Sequence, residues 1–297
     1  MGILGIHTSI SGSLRNAVLS AEELGCDCFQ MFSRNPRGWS APALAEPEAR
    51  AFVDERVQTK LYPVVIHDCY LVNLAAENEE IWKKSVHVFR DELTRAVMLG
   101  ADYVVFHPGN PRSLGREKGI ERTVAGLEEA AKGLRLDRVT ILVENTAGMG
   151  SALGSDFAEV ADIVRAARGK NLRMGCCLDT QHTFAAGYDI AGKKGLEETV
   201  RYLEKTVGLE GIKVIHTNDS KVPLGGRVDR HEHIGRGKIG REAFKRLVHH
   251  PAFRHLPFIL ETPIDKPGDD LRNLAVMRSM MAGPRAGARR VRPLGAG

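Results

Sequence analysis

Short runs of Val, Ile, Leu and Phe recur along the chain, and segments with a helical repeat of apolar residues separate them. Eight apolar runs are predicted as strands, at residues 3–7, 27–32, 63–67, 102–107, 138–144, 173–179, 212–216 and 257–261. Helices are predicted between them, at residues 12–24, 46–60, 78–99, 117–133, 155–168, 195–207, 240–249 and 268–281. Because apolar strands that alternate with helices are typical of parallel sheets, the pattern predicts a parallel α/β fold.

The number of these units predicts the architecture. Eight strand–helix units in 297 residues give a repeat of about 37 residues, and eight such units close into a (β/α)8 barrel. We therefore expect a single TIM barrel, the catalytic domain, over residues 1–282, with its active site at the C-terminal ends of the strands. Residues 283–297 contain four Arg and no acidic residue, so we expect a basic, disordered tail there.

Composition and charge exclude few classes of protein. The chain is 43% apolar, and 42 basic against 37 acidic side chains leave a net charge of +5, which by itself is a weak sign of a nucleic-acid partner. The sequence shows no signal peptide and no stretch of about 18 apolar residues. We therefore expect neither secretion nor insertion into a membrane. The five cysteines, two of them adjacent, do not form a disulfide framework.

Six consecutive predicted strands end on a side chain that can bind a metal ion. In chain order these are His67, His107, Glu144, Asp179, His216 and Glu261. Because the carboxyl ends of all barrel strands meet on one face, the six side chains are expected to form a ring. Any one of them alone is more often a loop cap, but several buried carboxylates repel one another and lose hydration. Divalent metal ions would compensate for both effects.

Three further candidate ligands follow in the sequence. His182 lies three residues after Asp179, while Asp229 and His231 lie two residues apart in the long segment after the seventh strand. Nitrogen and oxygen ligands without thiolate suit Zn²⁺ or Mn²⁺ at a catalytic site. Three divalent ions beside four carboxylates leave a charge of about +2, which favours an anionic substrate and phosphoryl chemistry.

The segments around these residues resemble the endonuclease IV family of abasic-site DNA repair nucleases. The longest matching motifs are CLDTQHTFAAGYD at 177–189, HTNDSKVPLGGRVDRHEHIGRGKIG at 216–240 and LETP at 260–263. The resemblance extends from residue 2 to about residue 281 and implies a trinuclear zinc site, with Mn²⁺ as a substitute at one position. The implied ligand sets are His67, His107 and Glu144; Glu144, Asp179, His216 and Glu261; and His182, Asp229 and His231.

The resemblance also implies the reaction. Family members hydrolyse the phosphodiester 5′ to an abasic site in duplex DNA and leave a 3′-hydroxyl and a 5′-deoxyribose phosphate, and removal of 3′-blocking groups is expected as well. A metal-bridging hydroxide attacks phosphorus, with Glu261 and Glu144 as the catalytic residues. The expected partner is duplex DNA, and no protein partner is expected. We expect the protein to be a cytoplasmic monomer, associated with the nucleoid if the source is bacterial.

Loops at the top of the barrel are expected to contact the DNA. The candidate residues are Asn35, Arg37, Tyr70, Leu71, Lys221, Arg227 and Arg230. Tyr70 and Leu71 place a stacking ring beside an apolar wedge, which suits a gap in a base stack. For Trp39, both DNA contact and packing within the loop remain possible roles. Residues 221–241 carry a charge of +4, whereas the rest of residues 1–282 sums to −3. The positive charge is therefore concentrated beside the predicted metal ring.

The chain departs from the family pattern at a few positions, and two alternatives remain. Asp68, Cys69 and Arg236 replace the usual residues, and Cys69 is a further candidate metal ligand. His7, His233, Asp68 and Asp219 are expected to orient the ligands. The first alternative is a metal-dependent sugar isomerase or epimerase of the xylose isomerase-like group, which lacks a third-ion triad. The second is a DNA-damage binding protein without catalytic activity.

Overall fold

Eight parallel strands close into a barrel in this protein, whose structure is a computed structural model that describes residues 2–282. The strands in chain order are β1 (Ile3–Thr8), β2 (Cys28–Phe32), β3 (Val64–His67), β4 (Tyr103–Phe106), β5 (Thr140–Glu144), β6 (Met174–Asp179), β7 (Ile212–Thr217), β8 (Asp219–Ser220), β9 (His231–Glu232) and β10 (Pro257–Leu260). All but β8 and β9 belong to the barrel, in which β10 pairs with both β7 and β1. The predicted (β/α)8 TIM barrel is confirmed.

Helices separate the barrel strands as predicted. They are α1 (Arg15–Glu23), α2 (Glu46–Gln58), α3 (Glu79–Leu99), α4 (Arg116–Ala131), α5 (Phe157–Arg168), α6 (Thr180–Ala186), α7 (Lys193–Thr206), α8 (Arg241–His249) and α9 (Asp269–Met281). The sequence pattern did not predict α6. This helix begins directly after β6 because the Asp179 carboxylate accepts the backbone N–H of His182 at 2.6 Å, and it ends before Gly187, whose φ is 112°.

A small apolar plug fills the barrel interior below the carboxyl ends of the strands. Its side chains are Cys28, Val65, Val105, Leu142, Cys177, Val214 and Ile259, one from each barrel strand except β1. At the matching position β1 has Gly5, where a Cβ atom would lie 2.2 Å from the carbonyl oxygen of Cys28. A larger apolar layer lies between the barrel and the helices, and it includes Cys176, whose neighbour Cys177 points inward.

The long segment after β7 is ordered around one buried carboxylate. β8 and β9 pair as antiparallel strands, and the Asp219 carboxylate accepts backbone N–H groups from Ser220, Gly235, Gly237, Ile239 and Gly240 at 2.8–3.4 Å. Asp219 therefore shapes this segment, and the expectation that it orients a metal ligand is wrong, because in the described residues its carboxylate accepts hydrogen bonds from backbone N–H groups and not from a candidate ligand.

The tail predicted at 283–297 lies outside the described residues. Within residues 2–282, no helix combines the length and the apolar character that a membrane span requires.

Candidate metal centre

A ring of polar side chains lies directly above the apolar plug. On each barrel strand, the residue two positions after the plug residue, or after Gly5 on β1, points to the same side of the sheet. These eight residues are His7, Gln30, His67, His107, Glu144, Asp179, His216 and Glu261. The six predicted strand-end residues are therefore brought together, and His7 and Gln30 complete the ring.

Glu144 lies at the centre of the ring and faces two groups of side chains. Its Oε2 atom is 3.3 Å from Nε2 of both His67 and His107, and its Oε1 atom is 3.2 Å from Nδ1 of His216. Ligand atoms of His67, His107 and Glu144 all lie within 4.8 Å of one another, as do those of Glu144, Asp179, His216 and Glu261. The two groups share Glu144 and match the first two ligand sets implied by the family resemblance.

The three residues of the third predicted set lie together at the edge of the ring, although the group of ligand atoms within 4.8 Å of one another that contains His182 and His231 includes Asp179 and not Asp229. The Asp229 carboxylate lies between two imidazoles, with Oδ2 3.3 Å from Nε2 of His182 and Oδ1 3.3 Å from Nε2 of His231. His182 comes from α6 and His231 from β9. Gln181 of α6 holds the loop that precedes β9, because its side-chain amide donates to the carbonyl oxygen of Val228 at 2.9 Å, next to Asp229.

Backbone carbonyl groups orient three of the imidazoles. Nδ1 of His67 lies 2.8 Å from the Asp68 carbonyl oxygen, Nδ1 of His182 lies 2.9 Å from that of Asn145, and Nδ1 of His231 lies 3.1 Å from that of Glu261. Each ring then turns Nε2 toward the neighbouring carboxylates. Asp68 thus orients His67, as expected, and does so through its backbone carbonyl group, an arrangement typical of metal-binding histidines.

The carboxylates and imidazoles of the cluster stabilise one another's charged forms. Burial alone would raise the pKa of Glu144, but the imidazoles of His216 and His107 hold it well below its ordinary value. Burial also opposes ionisation of Asp229, yet His182 and neighbouring imidazoles lower its pKa to about 2. In His182 itself, the effect of burial is overcome by Asp179 and Asp229, which raise the imidazole pKa well above its ordinary value. Glu144 and Asp229 are thus ionised, as ligands for cations must be, whereas burial raises the pKa of Asp179.

Several buried atoms of the cluster have no hydrogen-bond partner within residues 2–282. They are Nε2 of His107, both carboxylate oxygens of Glu144, Nδ1 of His216 and Nε2 of His231. Buried polar atoms without partners are costly, and divalent cations would supply the missing interactions. Cys177 also lies near Glu144 and His216, but burial raises its thiol pKa to about 12. The donor set is therefore nitrogen and oxygen, which fits Zn²⁺ or Mn²⁺.

Buried side-chain amides, which the sequence pattern did not identify, support the cluster. Nδ2 of Asn218 donates to Asp179 Oδ2 at 2.6 Å, and its Oδ1 accepts the backbone N–H of Glu261 at 2.9 Å. Asn145 accepts the backbone N–H of Asp179 at 2.8 Å, and Gln30 contacts both His216 and Glu261. The sequence does mark these three amides as unusual, because Gln30 interrupts an apolar strand and the two asparagines follow strand ends.

The metal-ligand candidates open into a cavity of about 360 Å³. Tyr70 lines it together with seven of the nine candidate ligands, and its side chain is 60% exposed. The Tyr70 ring packs edge-on against Phe32, with ring centroids 5.1 Å apart. A second cavity, of about 480 Å³, lies beside the first and is lined by Trp39, Tyr70 and Leu71 as well as His107.

The other residues predicted to contact DNA are exposed on two loops. Asn35 and Arg37 lie after β2, where Asn35 Oδ1 accepts the backbone N–H of Arg37 at 3.1 Å. Lys221, Arg227 and Arg230 lie between β8 and β9, and the Arg230 guanidinium donates to the Asp229 carbonyl oxygen at 2.9 Å. The latter loop thus carries positive side chains next to a candidate ligand.

Two subsidiary expectations are wrong. The Cys69 thiol does not enter any of the candidate ligand groups, and it donates to the carbonyl oxygen of Pro36 at 2.9 Å. His233 does not contact the ring: its Nδ1 atom is 3.0 Å from the Asn273 amide and its Nε2 atom is 3.4 Å from Asp265. His7 does support the ring, because its Nδ1 atom lies 3.0 Å from the Gln30 amide.

Similarity to known proteins identifies the family. The family model of the xylose isomerase-like TIM barrels matches residues 18–280. A relative from Solibacter usitatus, named "Probable endonuclease 4", is 47% identical over 278 residues, which cover 93% of this chain and 96% of the relative. The chain belongs to the endonuclease IV family. The resemblance inferred from the motifs is thereby confirmed.

Solved structures agree with membership of the endonuclease IV family. The crystal structure of endonuclease IV from Thermus thermophilus is 42% identical, with a TM-score of 0.84, and the match covers 94% of this chain and 99% of that one. D-psicose 3-epimerase from Clostridium cellulolyticum has a TM-score of 0.64 at 16% identity, over 95% of this chain and 92% of that one. At that identity, the similarity to the epimerase shows a shared barrel fold and nothing further.

Proposed function

We propose that this protein is a metal-dependent DNA repair endonuclease. Its substrate would be duplex DNA with an abasic site, cut on the 5′ side to leave a 3′-hydroxyl and a 5′-deoxyribose phosphate. The observation that carries the proposal is the pair of ligand groups that share Glu144, in a member of the endonuclease IV family. Removal of 3′-blocking groups requires the same phosphodiester chemistry and is included. We expect the protein to act in the cytoplasm as a monomer.

The cluster would hold three Zn²⁺ ions, with Mn²⁺ able to replace one of them. The proposed ligand sets are His67, His107 and Glu144; Glu144, Asp179, His216 and Glu261; and His182, Asp229 and His231. When bound, the ions would activate water and neutralise the charge that develops on the phosphate oxygens during hydrolysis. The two separate faces of the Glu144 carboxylate support its role as the shared ligand.

Glu261 is the proposed residue for activating the attacking water. Its Oε1 atom accepts a hydrogen bond from Gln30 at 2.6 Å, and its Oε2 atom faces the ring, 3.3 Å from Nδ1 of His216. Although burial opposes its ionisation, His216 and His7 hold the pKa of Glu261 well below its ordinary value. The carboxylate is therefore ionised and able to accept a hydrogen bond from a water molecule and orient it.

The loops above the ring would bind and distort the DNA. Lys221, Arg227 and Arg230 would contact phosphates, which accounts for the placement of positive charge beside the cavity. Arg37 and Asn35 extend from the loop after β2. The side chains of Tyr70 and Leu71 are proposed to fill the space that an extruded abasic nucleotide leaves in the base stack, since an aromatic ring and an apolar wedge suit that gap.

An incision assay tests the proposal. The substrate is a labelled duplex with one tetrahydrofuran abasic analogue, and the proteins are the wild type, Glu261→Gln, and Glu198→Gln as a control on the exposed side of α7. We expect the wild type and Glu198→Gln to cut the duplex, and Glu261→Gln to be slower by about 10²–10⁴-fold, because it loses a carboxylate that both orients the attacking water and belongs to a proposed ligand set.

The same assay separates the alternatives. A wild-type protein that binds the abasic duplex but does not cut it in the presence of Zn²⁺ or Mn²⁺ would be a DNA-damage binding protein. A protein that ignores the duplex and interconverts ketoses would be a sugar epimerase. Either result contradicts the proposed endonuclease activity.

A further inference from the structure

Gln30 occupies an unusual place for a polar side chain. It lies in the middle of β2, between Phe29 and Met31, and its side chain is fully buried. Phe29 and Met31 pack in the apolar layer between the barrel and the helices, so the strand alternation turns Gln30 into the barrel interior. A buried amide in an apolar strand is costly unless all of its hydrogen bonds are made.

The Gln30 amide makes three hydrogen bonds to residues from three other parts of the barrel. Its Nε2 atom is 2.6 Å from Glu261 Oε1 and 3.0 Å from His7 Nδ1, and its Oε1 atom is 2.7 Å from His216 Nε2. The ionised Glu261 carboxylate can only accept a hydrogen bond, so the NH₂ group of Gln30 must face Glu261. The amide oxygen must then face His216.

This orientation determines the tautomer of His216. Because the Gln30 oxygen only accepts, Nε2 of His216 must carry the hydrogen, and the neutral ring then has its lone pair on Nδ1. Nδ1 is buried without a hydrogen-bond partner in the described residues and lies 3.2 Å from Glu144 Oε1 and 3.3 Å from Glu261 Oε2. The lone pair thus points at the place where the two carboxylates converge.

His216 differs in this respect from the three imidazoles that backbone carbonyls orient. His67, His182 and His231 donate through Nδ1 to main-chain oxygens, and an amino-acid substitution does not remove a main-chain oxygen. The orientation of His216 depends on the identity of one side chain. Gln30 also holds one oxygen of Glu261, which leaves the other oxygen free to face the ring.

We propose that Gln30 is a positioning residue that fixes the tautomer of His216 and the rotation of the Glu261 carboxylate, and so strengthens binding of the ion assigned to Glu144, Asp179, His216 and Glu261. This inference rests on the proposed metal centre. It does not depend on the DNA substrate. Loss of a residue that orients a metal ligand typically weakens metal affinity about 10–100-fold.

Metal affinity measured without DNA provides the first test. Purified wild type, Gln30→Met and the control Gln58→Met, at the exposed end of α2, are titrated with Zn²⁺ against a competing chelator. We expect Gln30→Met to lose about 10–100-fold in affinity for one of the ions, while Gln58→Met behaves as the wild type. Wild-type affinity for every ion in a folded Gln30→Met protein would overturn the proposal.

Histidine tautomers provide a second readout. In metal-free protein labelled with ¹⁵N-histidine, at a pH at which His216 is neutral, its signals are expected to show a protonated Nε2 in the wild type and a mixture of the two tautomers in Gln30→Met. If Gln30→Met does not fold, Gln30→Glu keeps an acceptor oxygen for His216 and is expected to retain the protonated Nε2. A protonated Nδ1 on His216 in the wild type or in Gln30→Glu would refute the assignment.

The outcomes distinguish this inference from the proposed function. A protein that cuts abasic DNA but whose Gln30→Met variant binds every ion normally contradicts the role of Gln30 alone. A protein that never cuts DNA, but whose metal affinity falls in Gln30→Met, contradicts the proposed function and supports the role of Gln30.

Discussion

Removal of bound metal ions is expected to lower the thermal stability of the protein strongly. Within residues 2–282, five buried atoms of the candidate ligands have no hydrogen-bond partner, and they belong to His107, Glu144, His216 and His231. An unsatisfied buried polar atom costs about 1–3 kcal/mol, so about 5–15 kcal/mol depends on what occupies the ring. Protons on the imidazoles recover part of this cost in the metal-free protein. We therefore expect metal removal to lower the free energy of unfolding by about 4 kcal/mol or more. One ligand at a thousand-fold excess over its dissociation constant stabilises a protein by the same amount.

Thermal unfolding followed by circular dichroism measures this loss. For a chain of this size, each kcal/mol shifts the melting temperature by about 2–4 °C, so chelation should lower it by about 10 °C or more. Adding Zn²⁺ back should restore the original value. Glu144→Gln serves as the internal control, because it removes the ligand that two of the three proposed ions share, and its melting temperature should change much less on chelation than that of the wild type. A wild-type shift below about 2 °C would refute the assignment of the ring as a metal centre.

Three further predictions follow from individual groups. Although burial alone would lower the pKa of His182, Asp179 and neighbouring carboxylates raise it, so protons compete with metal ions for this site. The affinity for metal ions should therefore fall as the pH falls, and calorimetry in buffers of different ionisation enthalpy should detect proton release when a metal ion binds. Metal binding without proton release would contradict this prediction. Burial raises the pKa of Glu92 from 4.5 to about 7, so the folded state retains a proton that the unfolded state loses, and stability should fall as the pH rises through this interval. Urea unfolding of Glu92→Gln should show a flatter pH dependence, and an unchanged dependence would count against the burial argument. Lys221→Ala should reduce the slope of log affinity for abasic duplex against log salt concentration by about 0.9, and an unchanged slope excludes a phosphate contact.

The sequence predicted the barrel and most of its ring because both depend on regular spacing. An apolar strand shows a clear pattern, and its polar last residue marks the mouth of the barrel. Ligands on six neighbouring strands were found in this way. Gln30 obeys the same two-residue alternation after Cys28, but it was missed because it lies inside β2 and not at the strand end, the position from which the ligands were inferred.

Features that depend on tertiary contacts were harder to predict. Asp219 orders a long segment by accepting backbone N–H groups from residues 1 to 21 positions away, and no local pattern signals this role. Likewise, Asp68 orients His67 through its carbonyl oxygen, which every residue type possesses. The helix α6 is short, and its start depends on Asp179, which the sequence pattern had already assigned to a strand end. Such dual roles cannot be read from residue type alone.

The position and chemistry of the cut test the proposed endonuclease activity most directly. A duplex with one abasic site, labelled at the 5′ end of the damaged strand, is incubated with metal-free protein and with protein reloaded with Zn²⁺. We expect incision only after reloading, on the 5′ side of the abasic site, with a 3′-hydroxyl end that a DNA polymerase extends. An intact strand, or a cut on the 3′ side that leaves an end the polymerase does not extend, would contradict this activity.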